Sequence, residues 1–316
     1  MSSPLRSNPL LKVAPVPTGS TVCIISPASF AMPDRLERGM ARLLALGFAS
    51  RPGVHTQSHG PLYFAGTPSQ RIDDLHAAFT SDETQLIACV RGGYGSNYLL
   101  DSLDLDLIRA HPRPFIAYSD LTGIQLHLLD KIGLPAFHGP MVAADFYLDD
   151  GAHIPSFLSA LAGETYSVGA AEGMRVLRPG TAEGTLYGGC LSIVASLLGT
   201  PWEPETEGKL LFLEDTGVKP YQIDRLLWQL RHAGKFAGIR GVIFGEMLDC
   251  SSPGASPNLL DDTIRHAFSD FDIPIVIGLR SGHVSSRNVT LTFGVQSRLH
   301  AAEQASLQML QPAVTG

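Results

Sequence analysis

Phe115-Ile116-Ala117-Tyr118-Ser119-Asp120-Leu121-Thr122, running on to His127, passes abruptly from one kind of local structure to another. The first four residues suit a buried strand, and beyond Ser119-Asp120 apolar residues recur at Leu121, Ile124, Leu128 and Leu129 with a helical period. The spacing predicts strand, sharp turn, helix. Ser119 or Asp120 has a natural use there as a helix cap, because either side-chain oxygen accepts from a free N–H of the first turn. A serine at such a turn also has a chemical use. Its hydroxyl projects from the sheet edge, backbone N–H groups face whatever it attacks, and the helix dipole favours negative charge, which is the layout of a nucleophile elbow. On this segment alone both uses stand.

The same alternation extends outward in both directions. Residues 21–26 (TVCIIS) and 85–90 (QLIACV) read as buried strands, while 32–46, 70–79 and 99–108 carry apolar positions at helical spacing, the first closed by Gly47. Strands alternating with helices imply a parallel sheet with helices on its faces. Ligands of such sheets collect beyond the carboxyl ends of the strands, where Arg91-Gly92-Gly93-Tyr94-Gly95-Ser96 lies. A loop this rich in glycine can bring backbone N–H groups up to a phosphate or a tetrahedral oxyanion, or it can be a plain turn.

From residue 149 to about 183 the pattern loosens, and a domain junction is expected there. Beyond it, 184–189 reads as a turn-rich entry, 191–198 and 221–230 as helices, and 209–213, 241–244 and 273–279 as strands. Residues 289–293 then alternate and are expected to close the second sheet or barrel. The division expected is an N-terminal extension (1–18), a parallel-sheet α/β domain (19–148), a linker region (149–183), a β-rich, barrel-like domain (184–305) and a tail (306–316).

A chain of 316 residues with 44% hydrophobic and 17% charged residues has an ordinary globular balance. Its net charge of −7 supplies no basic stripe for a nucleic acid. Pro4, Pro9, Pro15 and Pro17 break up the N-terminus where a signal peptide needs a continuous apolar run, and no run reaches the length of a membrane span. A cytosolic protein without a membrane partner is expected. Cys23, Cys89, Cys190 and Cys250 are far apart in sequence and read as buried free thiols.

Ser119, Glu214 and His283 each come at or just past the end of an apolar strand, which implies a site between the two halves. Histidine can take the serine proton while glutamate holds its tautomer and stabilises the imidazolium. Each also has a plainer reading, Glu214 as a solvated carboxylate beside Asp215 and His283 as one of eleven structural histidines. His138 and Asp145 have a spacing seen in zinc peptidases, but such sites need a further histidine, commonly in Glu-x-x-His, and the sequence has no such motif. No cysteine occupies a strand-to-helix turn next to the glycine loop, which argues against a thiol nucleophile.

Six ordered blocks complete the reading: RGGYGSNYLL (91–100), AYSDLTGIQ (117–125), HGPM (138–141), GTLYGGCLSIVASLLGTPW (184–202), LEDTGVKPYQIDRLLWQL (213–230) and GLRSGH (278–283). Together they resemble the LD-carboxypeptidases, the muramoyltetrapeptide carboxypeptidases of murein recycling. The resemblance implies a serine peptidase with Ser119 as nucleophile, Glu214 as the orienting acid and His283 as base. The family's backbone oxyanion hole maps to Gly93 and Asp120. It further implies hydrolysis of the bond from the L-centre of diaminopimelate or lysine to a terminal D-alanine, no metal or organic cofactor, an α/β domain joined to a β-rich one, and a homodimer. Two positions depart from the family pattern, Ala117 where glycine is usual and Cys190 where asparagine is frequent. Arg91, Tyr94, Arg280 and Arg287 are the candidate substrate-binding residues, since a carboxypeptidase needs a cation or clustered N–H groups to select a free C-terminus. Two rivals remain: a self-immunity peptidase acting on an aminoacyl- or peptidyl-nucleotide antibiotic, and a non-catalytic muropeptide-binding protein.

Overall fold

The computed structural model describes residues 8–254 and 256–315, so part of the expected N-terminal extension, residues 1–7, lies outside the described residues, as does residue 316 of the expected tail. The N-terminal half runs β1 (Thr21–Ile25), α1 (Pro33–Ala45), β2 (Ala49–Pro52), α2 (Pro68–Thr80), β3 (Leu86–Cys89), α3 (Leu105–Ala110), β4 (Phe115–Ala117), α4 (Thr122–Ile132) and β5 (Ala136–His138). Next come α5 (Ile154–Ala162), β6 (Ser167–Gly169), β7 (Arg175–Arg178), β8 (Gly180–Cys190), α6 (Leu191–Ser196), β9 (Lys209–Glu214), α7 (Pro220–His232), β10 (Gly241–Gly245) and α8 (Leu259–Ala267). The chain closes with β11 (Ile275–Leu279), β12 (Leu291–Phe293), β13 (Gln296–Ala301) and β14 (Ala305–Met309).

The first sheet has the order β12-β5-β4-β3-β1-β2. Strands β1 to β5 are parallel, and β1, β3, β4 and β5 are apolar runs buried between helices, as parallel strands must be. The second sheet has the order β6-β14-β13-β8-β9-β10-β11-β7. Its centre, β8 to β11, is parallel and its flanks are antiparallel. The sequence shows this change of type: β9 and β10 are continuously apolar, whereas β13 alternates buried and exposed residues with one face toward solvent. Among the described residues β6 and β7 do not pair, so the sheet is an open series, not a closed barrel. All four cysteines are buried and free. No helix among the described residues is long and apolar enough to cross a membrane.

Several expectations are corrected. Residues 289–293 do not close the second sheet, because Leu291–Phe293 pairs antiparallel with β5 and completes the first sheet. The 149–183 stretch holds α5, β6 and β7, and the 306–316 tail contributes β14. Of these, β6 and β7 are short strands at the two edges of the sheet and carry too little periodicity to announce themselves. The helix expected over 99–108 is broken into a 3-10 helical stretch, Ser96–Ser102, and α3, because Asp104 accepts from Leu107 N and restarts the chain there. The supposed turn at 184–189 is strand, its glycines serving close packing: a Cβ at Gly188 would lie 1.9 Å from the Phe212 carbonyl oxygen. Val13 and Val16 are buried, so the described part of the N-terminal extension belongs to the folded body.

Candidate active site

Strand β4 ends one residue before Tyr118, and the chain turns so tightly into α4 that Ser119 takes φ +65°. A non-glycine residue in the left-handed region costs on the order of 1 kcal/mol, so the surrounding structure has to hold it there. Neither Ser119 nor Asp120 caps the helix, contrary to expectation. Asp120 instead turns back to the glycine loop, its Oδ2 accepting from Ser96 N at 2.8 Å while Ser96 Oγ donates to the Asp120 carbonyl at 2.6 Å. Burial raises the Asp120 carboxyl above its usual range despite these bonds and the nearby Arg71.

The glycine loop therefore lies directly against the serine. A Cβ built on Gly92 would stand 2.8 Å from Ser119 Cβ, 2.9 Å from its Oγ and 3.3 Å from Asp120 N, which is why this position carries no side chain. The loop is pinned by residues that sequence reading missed. Ser29, just past β1, accepts from Tyr94 N at 3.1 Å. Arg71 of α2, 1% exposed, donates to the carbonyls of Pro27 at 2.8 Å and Gly95 at 2.7 Å, with its guanidinium 5.0 Å from the Phe64 ring centre.

Glu214 is the last residue of β9 and is wholly buried; His283 follows β11. The two meet across the sheet. Glu214 Oε2 accepts from His283 Nδ1 at 2.8 Å and from the His283 backbone N at 2.9 Å. With its proton on Nδ1, the imidazole presents Nε2 as acceptor, and Ser119 Oγ lies 3.0 Å from it. Three residues separated by up to 164 positions thus form one continuous hydrogen-bonded chain. Burial is the largest single influence on His283 and pushes it down, but the Glu214 charge and hydrogen bond, with Asp215 and Asp145, outweigh it and leave His283 above its ordinary value. Burial likewise presses Glu214 upward, and the attraction of His283 and His138 overcomes it, leaving Glu214 below the usual carboxylate range.

Behind this chain lies a second set of partners that sequence reading did not assemble. Asn288, completely buried, accepts from Gly282 N at 3.0 Å and donates to the Gly282 carbonyl at 3.1 Å, fixing the residue before His283. Its Nδ2 also donates to Asp145 Oδ1 at 3.1 Å, and Asp145 Oδ2 accepts from Met141 N at 2.8 Å. Burial pushes the Asp145 carboxyl up to about 7. His138, raised in the sequence as a metal ligand with Asp145, sits among Tyr118, Phe212 and Phe293 with neither ring nitrogen bonded, and burial lowers it to about 4. Among the described residues no three His, Cys, Asp or Glu side chains gather as a metal centre requires.

The departures from the family pattern are absorbed locally. Ala117 lies in strand β4, outside the left-handed region, so it has no need of glycine's freedom. Cys190 N donates to Thr122 Oγ1 at 3.1 Å and its thiol lies 3.3 Å from Ser192 Oγ.

The four candidate binding residues separate into two places. Arg91 and Tyr94 line a cavity of about 320 Å³ with Ser29, Phe30, Tyr63 and Gly93, the residue that follows the Gly92 seated against Ser119. Arg280 instead donates to the Ala171 carbonyl at 2.6 Å, and Arg287 lies 3.9 Å from Asp150. Chemically, the site offers a hydroxyl placed for attack, a base to accept its proton, an acid to hold that base, and a cation at the mouth.

A family model described as the LD-carboxypeptidase N-terminal domain matches residues 22–139, and one described as the LD-carboxypeptidase C-terminal domain matches residues 183–299. The chain is 35% identical over 294 residues to the probable murein peptide carboxypeptidase of Bacillus subtilis (strain 168), covering 92% of this chain and 91% of that protein. It is similar in structure to an MccF-like protein from Bacillus anthracis str. Ames, with TM-score 0.88, 25% identity, and coverage of 95% of this chain and 99% of that one. It is similar also to the muramoyltetrapeptide carboxypeptidase from Oxalobacter formigenes, with TM-score 0.81, 27% identity, and coverage of 94% and 100%.

Proposed function

Because the chain belongs to the LD-carboxypeptidase family, we propose that it is a serine hydrolase that releases the terminal D-alanine of murein tetrapeptides by cleaving an L,D-peptide bond. Ser119 is the nucleophile, His283 the base and Glu214 the acid that orients it. The single observation carrying this assignment is the unbroken chain from Ser119 Oγ through His283 to the buried Glu214, at 3.0 and 2.8 Å.

In this mechanism Ser119 Oγ attacks the carbonyl carbon of the L-centre while its proton passes to His283 Nε2. The oxyanion of the tetrahedral intermediate falls between the N–H groups of Gly93 and Asp120. The close seat of Gly92 against Ser119 and Asp120 N supports that placement. His283 returns the proton to the leaving amine, D-alanine departs, and water repeats the sequence on the acyl-enzyme. Arg91, at the mouth of the cavity beside Gly93, selects the terminal carboxylate, while Arg280 and Arg287, engaged elsewhere, are set aside. The protein works in the cytosol as a homodimer, a reading that rests on the family resemblance and is checked by sedimentation. Its two working units correspond to residues 19–148, which carry the serine, and 184–305, which carry the acid and base.

The test is mass spectrometry of wild type and Ser119→Ala after incubation with L-Ala-γ-D-Glu-meso-diaminopimelate-D-Ala. Loss of one alanine with wild type only is expected; equal cleavage by both removes the serine mechanism. A second reading, cleavage of an aminoacyl-nucleotide, draws on the aromatic wall of the cavity, where Tyr63 and Tyr94 stand 5.8 Å apart beside Phe30 and offer ring faces to a base. Turnover of an aminoacyl nucleotide but not of the tetrapeptide would favour it.

A further inference from the structure

A second hollow, of about 220 Å³, adjoins the first and shares Arg91 with it. Its other walls are Ala31 and Met32, Arg35 at the start of α1, and Ala143 and Ala144. Ala143 N donates to the Val90 carbonyl at 2.8 Å, so this wall is fastened to the strand end that launches the glycine loop. Three alanines keep the hollow open, and its charged side chains are both guanidinium groups. Among the described residues neither Arg35 nor Arg91 forms an ion pair with a carboxylate. Arg35 instead lies over the Tyr147 ring at 4.8 Å, a contact that restricts its conformations without neutralising it. Two uncompensated cations facing one recess make an anion subsite.

Resting on the tetrapeptide reading above, we infer that this hollow receives a second carboxylate of the substrate, the one at the end of the diaminopimelate side chain. The terminal D-alanine carboxylate occupies the first cavity, and Arg91, lining both, faces the two anions from between them. A lysine in the third position keeps the side-chain ammonium of diaminopimelate but lacks the carboxylate beside it, so it gains nothing from Arg35 and brings an unbalanced positive charge to the guanidinium groups; the subsite selects for diaminopimelate and against lysine.

The experiment compares kcat/KM for L-Ala-γ-D-Glu-meso-diaminopimelate-D-Ala and L-Ala-γ-D-Glu-L-Lys-D-Ala, using wild type, Arg35→Ala and Arg35→Glu. Wild type is expected to favour the diaminopimelate peptide by about tenfold or more, the scale of a charge-assisted contact reduced by exposure. Arg35→Ala should remove most of that preference, and Arg35→Glu should shift it toward lysine. Arg35 is exposed on the first turn of its helix, so unchanged melting curves will show that each variant is folded. The inference is overturned if wild type shows no preference, or if both variants keep the wild-type ratio. Release of alanine from neither peptide by wild type would instead remove the tetrapeptide reading itself.

Discussion

Replacing Glu214 by Gln should lower activity while extending it to more acid solution. Glu214 Oε2 carries two hydrogen bonds from one residue, 2.8 Å from the His283 ring and 2.9 Å from its backbone, in a site without solvent. A glutamine of the same shape has two placements. With its oxygen at the Oε2 position, the amide NH2 occupies the place of Oε1, where the carboxylate has no partner, and a buried donor is left unpaired. With the amide reversed, NH2 faces Nδ1, the imidazole must carry its proton on Nε2, and it can no longer accept from Ser119. Each hydrogen bond to a charged group is worth about 1.5–3 kcal/mol, so weakening two predicts a fall of about 10² to 10⁴ in kcat/KM.

The pH dependence has its own sign. The base must be neutral to accept a proton, so activity falls as pH drops through the His283 pKa, which in wild type lies above the ordinary value of about 6.5. Removing the Glu214 charge leaves burial as the main influence, and burial lowers that pKa. The acid limb of kcat/KM should therefore move to lower pH even as the plateau falls. The assay is release of D-alanine, followed between pH 5 and 9. An unmoved limb, a limb displaced upward, or a plateau within threefold of wild type would refute the reasoning.

Other substitutions probe different links. Ser119→Gly and Ser119→Ala should both be inactive, but glycine relieves the left-handed backbone and should leave the protein about 1 kcal/mol more stable than alanine does in urea; equal stabilities would mean the turn holds no strain. Asn288→Ala strips buried partners from Gly282 N, Gly282 O and Asp145 and should cost about 2–4 kcal/mol by chemical denaturation, whereas a loss below about 1 would show that other groups fix the His283 loop. Gly92→Ala drives a methyl into Ser119 and should reduce kcat about 100-fold; near-normal turnover would mean that the loop can retreat at no cost to the chemistry.

The sequence announces what is local and apolar. Buried strands β1, β3, β4, β9 and β10 read as continuous apolar runs, and Ser119, Glu214 and His283 are conspicuous because each follows such a run. What escapes is decided by contacts across long separations. Asp145 meets Asn288 over 143 positions, and neither residue belongs to a period that would single it out. The expected cap failed for a related reason: Ser96, distant in sequence, offers Asp120 a better donor than the helix does. Alternation over 289–293 marks β12 as a strand but not its sheet, because alternation fixes which side faces the core and says nothing about the neighbour, here β5.

That strand also sets a schedule for biosynthesis. The ribosome releases β5 long before β12, so the first sheet emerges with β5 as an unprotected edge, open to pairing with other nascent chains. Its rightful neighbour arrives with Leu291–Phe293, eight residues after His283 has been made. Closing the sheet and supplying His283 are therefore nearly one event. A chain stalled or clipped before that point has Ser119 without His283 and an unpaired edge at β5, which leaves it open to pairing with other chains.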